Sequence, residues 1–479
     1  MYRINNSFLV CMMFAIFACK HHKGMAYSTA TKEIKKEIKT QKPNFIFYLA
    51  DDQDQLDYGC YGNTKVKTPN VDKLAEEGLR FTNFYTAQAI CAPSRSQIFT
   101  GMYPLKNGCM ANHLSVKPTI ESVTTLLQKA GYEVILAGKS HVKPDKVFSW
   151  NKYFPSVEHR YLPLSDIDNY LKSVTKPFCI FITSDYPHGP YPETTHYKEA
   201  DIFKLPYEGS SVAKHKTGYY QNIEDDNEQL GKVLKMVDDY GFRNNSVFIY
   251  ASDHGLSGKW SVKEKGLKVP FIARWPSYIK PNTTSSSLVS FVDVLPTLLD
   301  IASVKIPETM DGKSFYSILK GNKEEIHNYI YGVATQQNVQ NAKVFPSRSI
   351  RGQRYKLIKN FNAKSVYKSN LGTNNFVNKF IEIGANSFPN VPYEELYDLE
   401  KDPYETTNLA SKVEFQNIKE ELSLALKSWM VSQNDFLITH KMPLLKPTLH
   451  PLDKVSQWNK VDEDLVNKLV SENYLQLHY

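Results

Sequence analysis

Asn44-Phe45-Ile46-Phe47-Tyr48-Leu49-Ala50 is an unbroken apolar run that ends in Asp51-Asp52. Without polar alternation, such a run reads as a β-strand buried on both faces, with two acids at its carboxyl end. Ligands of open α/β sheets bind beyond the carboxyl ends of the strands, so those acids bear on function as well as fold. The pattern recurs downstream: residues 71–77 and 122–130 read as helices, and residues 133–137, 177–184 and 247–252 read as strands, the last leading into Asp253-His254. Strands alternating with helices predict an α/β fold, a large and mostly parallel sheet sandwiched by helices.

Near residue 325 the texture changes. Residues 329–334, 347–350 and 355–359 read as short antiparallel strands separated by turn residues, and residues 414–430 as an amphipathic helix. The expectation is a catalytic domain over 43–325 and a smaller C-terminal α+β domain with an antiparallel sheet over 326–479, which includes a Pro- and Lys-rich tail and a last helix pattern at 463–472.

Upstream of the first strand, Arg3 supplies a positive start and residues 7–18 form an apolar stretch too short for a stable membrane span. Residues 1–18 therefore read as an export signal, and residues 19–42, rich in Lys, Thr and Ser, as a tether. The signal ends Ile16-Phe17-Ala18-Cys19, which resembles a bacterial lipoprotein cleavage site with Cys19 as the lipidated residue. Ordinary cleavage nearby is the alternative. Either way the expected location is beyond the inner membrane, in the periplasm or at the cell surface.

Composition sets further bounds. With 42% apolar residues in 479, the chain can bury a large core. A net charge of +8 is a mild excess that most often marks a solvated surface. No zinc-finger spacing, RNA-binding signature or long basic block points to nucleic acid. Cys60, Cys91, Cys109 and Cys179 are irregularly spaced, so no disulfide framework is expected, although an oxidising compartment would allow a Cys60 to Cys109 bridge.

Four polar clusters sit at strand ends or beside them: Asp51-Asp52, the Cys91 segment, Lys139 with His141, and Asp253-His254. A single acid pair is as readily a helix cap or a salt bridge, but four clusters on one edge predict a site. Carboxylates without clustered thiolates favour a hard cation such as calcium or magnesium. Pro93 suits a first helical turn, which places Cys91 at a helix N-terminus where free N–H groups favour an anion, and Arg95 adds a permanent charge.

The segment Cys91-Ala92-Pro93-Ser94-Arg95, with Thr100-Gly101 behind it, resembles the signature of the type I, formylglycine-dependent sulfatases of the alkaline-phosphatase-like superfamily. The resemblance runs over about residues 43 to 435. It includes Pro43-Asn44 and Asp51-Asp52, Lys65 to Ala75, Gly78 to Asn83, Gly138-Lys139-Ser140-His141, Pro187-His188-Gly189-Pro190, Ser252-Asp253-His254-Gly255, Gly258-Lys259, and the stretch from Glu395 to Leu409. It implies that a maturation enzyme oxidises Cys91 to formylglycine, the nucleophile. It also implies calcium held by Asp51, Asp52, Asp253 and His254 against position 91. Arg95, Lys139 and Lys259 would then stabilise charge, His188 or Lys259 would protonate the leaving group, and His141 would assist the formylglycine. Two departures stand out: His254 occupies a position where many members have Asn, and Val262-Lys263-Glu264-Lys265-Gly266 replaces the usual Tyr-Glu-Gly-Gly, so Lys263 and Lys265 compete for the role of Lys259.

Residues 107–113 and Pro346-Ser347-Arg348-Ser349-Ile350-Arg351 resemble the heparan-sulfamidase-like branch. That branch implies sulfate esters or sulfamates of a sulfated polysaccharide, such as algal ulvan or an animal glycosaminoglycan, as substrate. His113, Gln337 and Arg348 become candidate sugar contacts, with ordinary loop and strand polarity as the alternative. Two rivals remain: a phosphomonoesterase or phosphodiesterase of the same superfamily, and a non-catalytic glycan-binding surface lipoprotein.

Overall fold

In the computed structural model the apolar run forms strand β1 (Asn44–Asp51), and all eight of its residues are buried. The structure describes residues 42–204, 210–322, 325–335, 344–372, 375–443 and 474–477. The expected export signal, most of the tether and the expected helix at 463–472 lie outside them. Around β1 the chain lays down β2 (Leu79–Tyr85), β3 (Glu133–Gly138), β4 (Lys152–Phe154), β5 (Phe178–Pro187), β6 (Ser246–Ser252), β7 (Lys268–Arg274), β8 (Thr283–Ser285) and β9 (Val289–Ser290). Their order across the sheet is β4-β3-β5-β1-β6-β7-β2-β8, with β9 also on β2. Every pairing is parallel except those of β7 with β6 and β2.

Alternation along β1 feeds two cores. Phe45, Phe47 and Leu49 join one that takes in Ile98 and Phe99 of helix α2 (Cys91–Thr100) and the helices Val123–Lys129 and Val294–Ile301. Ile46, Tyr48 and Ala50 point the other way, into a core with Val71 and Leu74 of helix α1 (Pro69–Glu76) and Leu230, Val233 and Val237 of the helix Ser210–Asp239. A central strand covered on both faces needs apolar residues at every position, which is why its sequence shows no period of two.

Two elements carry residues that ordinarily disfavour them. The strand β7 carries Pro270, which lacks an N–H and would break a central ladder. It is tolerated because the β6 pairing ends at Phe271 and the β2 register shifts between Phe81 and Phe84, just where Pro270 falls. The helix Ser210–Asp239 contains Gly218 and Gly231, which read as breakers. At Gly231 the reason is close packing: Asn70 Nδ2 of α1 donates to the Asn227 carbonyl, and a Cβ on Gly231 would stand 2.6 Å from that nitrogen.

The second sheet consists of β10 (Ile330–Ala334), β11 (Ser347–Arg351), β12 (Tyr355–Asn360) and β13 (Glu394–Asp398), all antiparallel. The helix Gln416–Ser432 packs Leu422, Leu426, Trp429 and Met430 onto Val333, Ile350, Leu357 and Leu396. Ala87, Tyr103 and Val292 share this core, so the two sheets are joined by apolar contact as well as by chain. All four described cysteines are free. A Cys60 to Cys109 bridge is ruled out by topology, because Cys109 belongs to the core on one face of the large sheet and Cys60 packs against the core on the other. Among the described residues, no helix is long and apolar enough to cross a membrane.

Arg348 of β11 and Asp435 lock the second sheet to the turn after the last long helix. Both side chains are fully buried, with Nε donating to Oδ2 at 2.6 Å and Nη2 to Oδ1 at 3.0 Å. Removing one partner of such a pair strands a buried charge. Asp435→Ala is therefore expected to lose about 3–5 kcal/mol in denaturant unfolding. A loss under about 1 kcal/mol, the worth of an exposed pair, would contradict this account of the junction.

Candidate active site

Strand register explains why the polar clusters meet. Asp51 lies opposite Pro187, Ala50 opposite Ser252, and Gly138 opposite Thr183. The four strands β3, β5, β1 and β6 are adjacent and parallel, so Lys139, His188, Asp51-Asp52 and Asp253-His254 all leave the sheet at one edge. Gly138 has φ 97°, and a Cβ there would collide with the Thr183 carbonyl oxygen, so the β3 exit admits only glycine.

The remaining component is α2, which begins at Cys91 after the extended Ile90. All ten of its residues are buried, yet half are polar types, and each of these finds an internal partner. Ser94 Oγ donates to the Asp253 carbonyl at 2.6 Å, the Ala87 N–H donates to Gln97 Oε1 at 2.8 Å, and Thr100 Oγ1 donates to the Ser96 carbonyl at 2.6 Å. Arg95 spans three of the strand ends. Its Nε donates to Asp253 Oδ2 at 3.3 Å, its Nη1 donates to the Lys139 carbonyl at 3.1 Å, and its Nη2 stands 3.7 Å from Asp51 Oδ1.

Asp51, Asp52, Cys91 and His254 each bring one ligand atom to within 4.8 Å of the others. Cys91 Sγ lies 3.4 Å from His254 Nε2, which is 3.1 Å from Asp52 Oδ1. Asp253 stands behind this group. Its Oδ1 accepts the N–H groups of Asp52 and His254 at 3.1 and 2.9 Å, so it orients two ligand-bearing residues, and it holds Asp52 at the unusual φ of 65°.

Cations surround the carboxylates. Lys139 pairs with Asp51, Lys259 Nζ donates to both oxygens of Asp52 at 2.9 and 2.7 Å, and His188 Nε2 is 3.5 Å from Asp52 Oδ2. Burial raises both aspartates, but Lys139 and Arg95 outweigh it and hold Asp51 well below the usual carboxylate range, while Lys259 and His254 lower Asp52. Asp253 is pushed up to about 8 by burial and by Asp51. Although burial opposes it, the Asp253 and Asp52 charges push His254 up to about 10. At Cys91, burial and Asp51 raise the thiol, yet Lys259, Lys139 and His254 prevail and lower it. Asp51, Asp52, Cys91 and His254 could hold a metal ion, the two carboxylates being the ligands a hard cation takes, and Asp51 Oδ1 is buried with no hydrogen-bond partner. The negative field that raises His254 would also favour a divalent ion, whose binding there would displace the His254 proton.

His141 Nε2 and His113 Nδ1 are 2.9 Å apart, and Asn112 ties the pair to α2 by accepting the Ala92 N–H at 3.3 Å and placing its Nδ2 3.3 Å from His113 Nε2. Burial, reinforced by Lys139 and Arg95, holds His141 well below its usual pKa, so the ring is neutral. Its Nδ1 is buried with no hydrogen-bond partner.

The other expectations divide. Arg348 is not placed as a sugar contact: its side chain is fully buried and committed to Asp435. Gln337 lies outside the described residues. Lys263 donates to Glu395 Oε2 at 2.6 Å and Tyr397 Oη at 2.7 Å, which commits it to β13 and leaves Lys259 at the cluster. Lys265 lines a separate cavity with Asp54 and Glu264. Residues not singled out in the sequence also serve the site. Asp185 Oδ1 lies 3.9 Å from Lys139 Nζ, Asn112 braces His113, and Arg160 holds the His188 loop. Asn112 lies within the quoted stretch 107–113 and Asp185 next to a quoted motif, whereas Arg160 comes from an irregular segment with no pattern to flag it.

The family model described as Sulfatase matches residues 43–304, and that of N-sulphoglucosamine sulphohydrolase, C-terminal, matches residues 252–371. An ulvan-active sulfatase of Formosa agariphila is 49% identical to this chain, covering 98% of each. The N-sulphoglucosamine sulphohydrolase of Homo sapiens is 24% identical over 85% of this chain and 94% of its own. A protein solved in complex with its substrate D-glucosamine-2-N,6-O-disulfate shares the fold, with a TM-score of 0.66 at 21% identity over 82% of this chain and 99% of that one.

Arg95→Met would leave Asp253 and Asp51 facing each other without their shared guanidinium. The expected cost is about 3–5 kcal/mol of stability by chemical unfolding, a loss that a surface charge would not produce.

Proposed function

The chain belongs to the sulfatase family, hydrolases of sulfate esters, and from that premise we propose that it desulfates an ulvan-type polysaccharide outside the cytoplasm, with Cys91 matured to formylglycine and calcium in the carboxylate cluster. One observation carries the chemistry: Cys91 opens a helix whose free N–H groups favour anions, and its Sγ shares a 4.8 Å cluster with Asp51, Asp52 and His254. Likeness over 98% of both chains to an ulvan-active enzyme favours ulvan over a glycosaminoglycan.

Bound calcium would polarise a sulfate oxygen, and formylglycine would supply a hydrated aldehyde as nucleophile. The chain's own groups do the rest. Lys139 and Lys259 reach the cluster with side chains only 16% and 18% exposed, so their ammonium groups would meet sulfate oxygens with little water to screen them. Arg95, wholly buried, keeps Asp51 and Asp253 compensated while substrate charge arrives. His188, with a side chain 35% exposed, stands at the outer side of Asp52, where the doubly protonated ring would give its Nε2 proton to a leaving sugar oxygen as the bond to sulfur breaks and would keep the hydrogen on Nδ1. Neutral His141, anchored through Nε2, keeps Nδ1 for proton exchange at position 91.

Co-expressed with a formylglycine-generating enzyme, the protein is expected to release inorganic sulfate from ulvan oligosaccharides. Mass analysis of the Cys91 peptide should show an aldehyde in place of the thiol. Cys91→Ala and calcium chelation should each lower turnover by more than about 100-fold while the fold persists. Release from glycosaminoglycans alone would move the substrate elsewhere, and zinc-dependent hydrolysis of phosphate esters would favour the phosphatase rival.

Export and attachment through Cys19 complete the proposal. Cell fractionation should find the enzyme with membranes and a Cys19→Ser variant in the soluble fraction, whereas an unchanged distribution would dismiss the lipid anchor.

A further inference from the structure

His188 is aimed by its neighbours. Its Nδ1 lies 2.7 Å from the Gly189 carbonyl, which can only accept, so Nδ1 carries hydrogen and Nε2 is the nitrogen that faces Asp52. The carbonyls of His188 and Gly189 are in turn held by one side chain. Arg160 Nη2 donates to the His188 carbonyl at 3.1 Å and Nη1 to the Gly189 carbonyl at 2.9 Å. Its guanidinium also lies over the Tyr186 ring at 5.6 Å.

The segment that delivers Arg160 is built for this contact. His159 and Arg160 both adopt left-handed backbone, with φ of 56° and 64°, a region that side chains other than glycine rarely enter. Tyr186 Oη donates to the His159 carbonyl at 3.2 Å, and the Tyr161 ring stacks on Tyr186 at 5.2 Å and 7°. On the opposite side Asn222 Nδ2 approaches the carbonyls of Pro187, His188 and Pro190 at 3.3, 3.4 and 3.3 Å. The loop is thus gripped between an amide from the long helix and a guanidinium from the strained turn. A planar fork can serve two carbonyls at once; an ammonium serves one with comparable geometry.

We propose that Arg160 is a positioning residue for proton delivery: it fixes the His188 loop so that Nε2 meets the leaving oxygen. This rests on the role given to His188 above. Misplacing a proton donor by about 1 Å is worth up to roughly 100-fold in rate.

The test compares Arg160→Met, Arg160→Lys and His188→Ala in the mature calcium-loaded enzyme acting on ulvan oligosaccharide, with imidazole nitrogen NMR of His188 as a measurement that needs no substrate. Arg160→Met should lower kcat by about 10- to 100-fold with KM within about 3-fold, Arg160→Lys should recover part of that loss, and the Met variant should lose the fixed Nδ1–H form of His188. Unchanged kcat, a loss confined to KM, or an unchanged His188 ring signal in Arg160→Met would overturn the proposal. If His188→Ala retains full kcat, the acid role of His188 falls instead; if it collapses kcat while Arg160→Met does not, only the inference about Arg160 fails.

Discussion

Three carboxylates, those of Asp51, Asp52 and Asp253, are buried at the ends of two adjacent strands, and charges cannot be crowded out of water in this way without close compensation. Arg95, Lys139, Lys259 and His254 supply it, from three different stretches of chain. The compensation is directional as well as electrostatic. Arg95 leans on two acids and on the backbone of a third strand end, so the position of α2 is tied to the spacing of the strands. An anionic substrate bound here as proposed would meet cations already engaged by carboxylates, which keeps their side chains ordered before any ligand binds.

Much of this was legible in the sequence because the relevant physics is local. An apolar run with no period of two can only be a doubly covered strand or a buried helix, and terminal acids on several such runs mark a common edge in a parallel sheet. The second sheet was legible for the opposite reason: short alternating segments separated by turn residues, followed by an amphipathic helix, which fall on β10 to β12 and Gln416–Ser432. What stayed hidden depends on contacts between distant segments. Pro270 argues against a strand unless the bulge at Phe81 to Phe84 is known, and Gly231 argues against a helix unless the approach of Asn70 is known.

The same limit governs single residues. Arg348 lies in a stretch resembling a glycan-handling branch, and its charge invited a role with ligand, yet Asp435 lies 87 residues further along and no pattern links the two. Lys263 was drawn off in the same manner by Glu395 and Tyr397 of the second sheet. Asp253 illustrates a finer distinction: the resemblance implies a metal ligand, and in the structure its oxygens accept from two backbone amides and from Arg95. A fold shared at 21% identity with a protein that takes a disulfated glucosamine fixes the scaffold and leaves such assignments to the individual side chains.

The complete burial of α2 sets an order of events in time. Cys91 is 1% exposed, with strand ends packed around its side chain, so no second protein can close a pocket around it once that helix has docked. Any catalyst that rewrites this residue must act on a nascent or extended chain. If Cys91 is oxidised as proposed, folding speed becomes a deadline, and a chain that collapses too soon would be locked, stable and well formed, with its thiol unconverted.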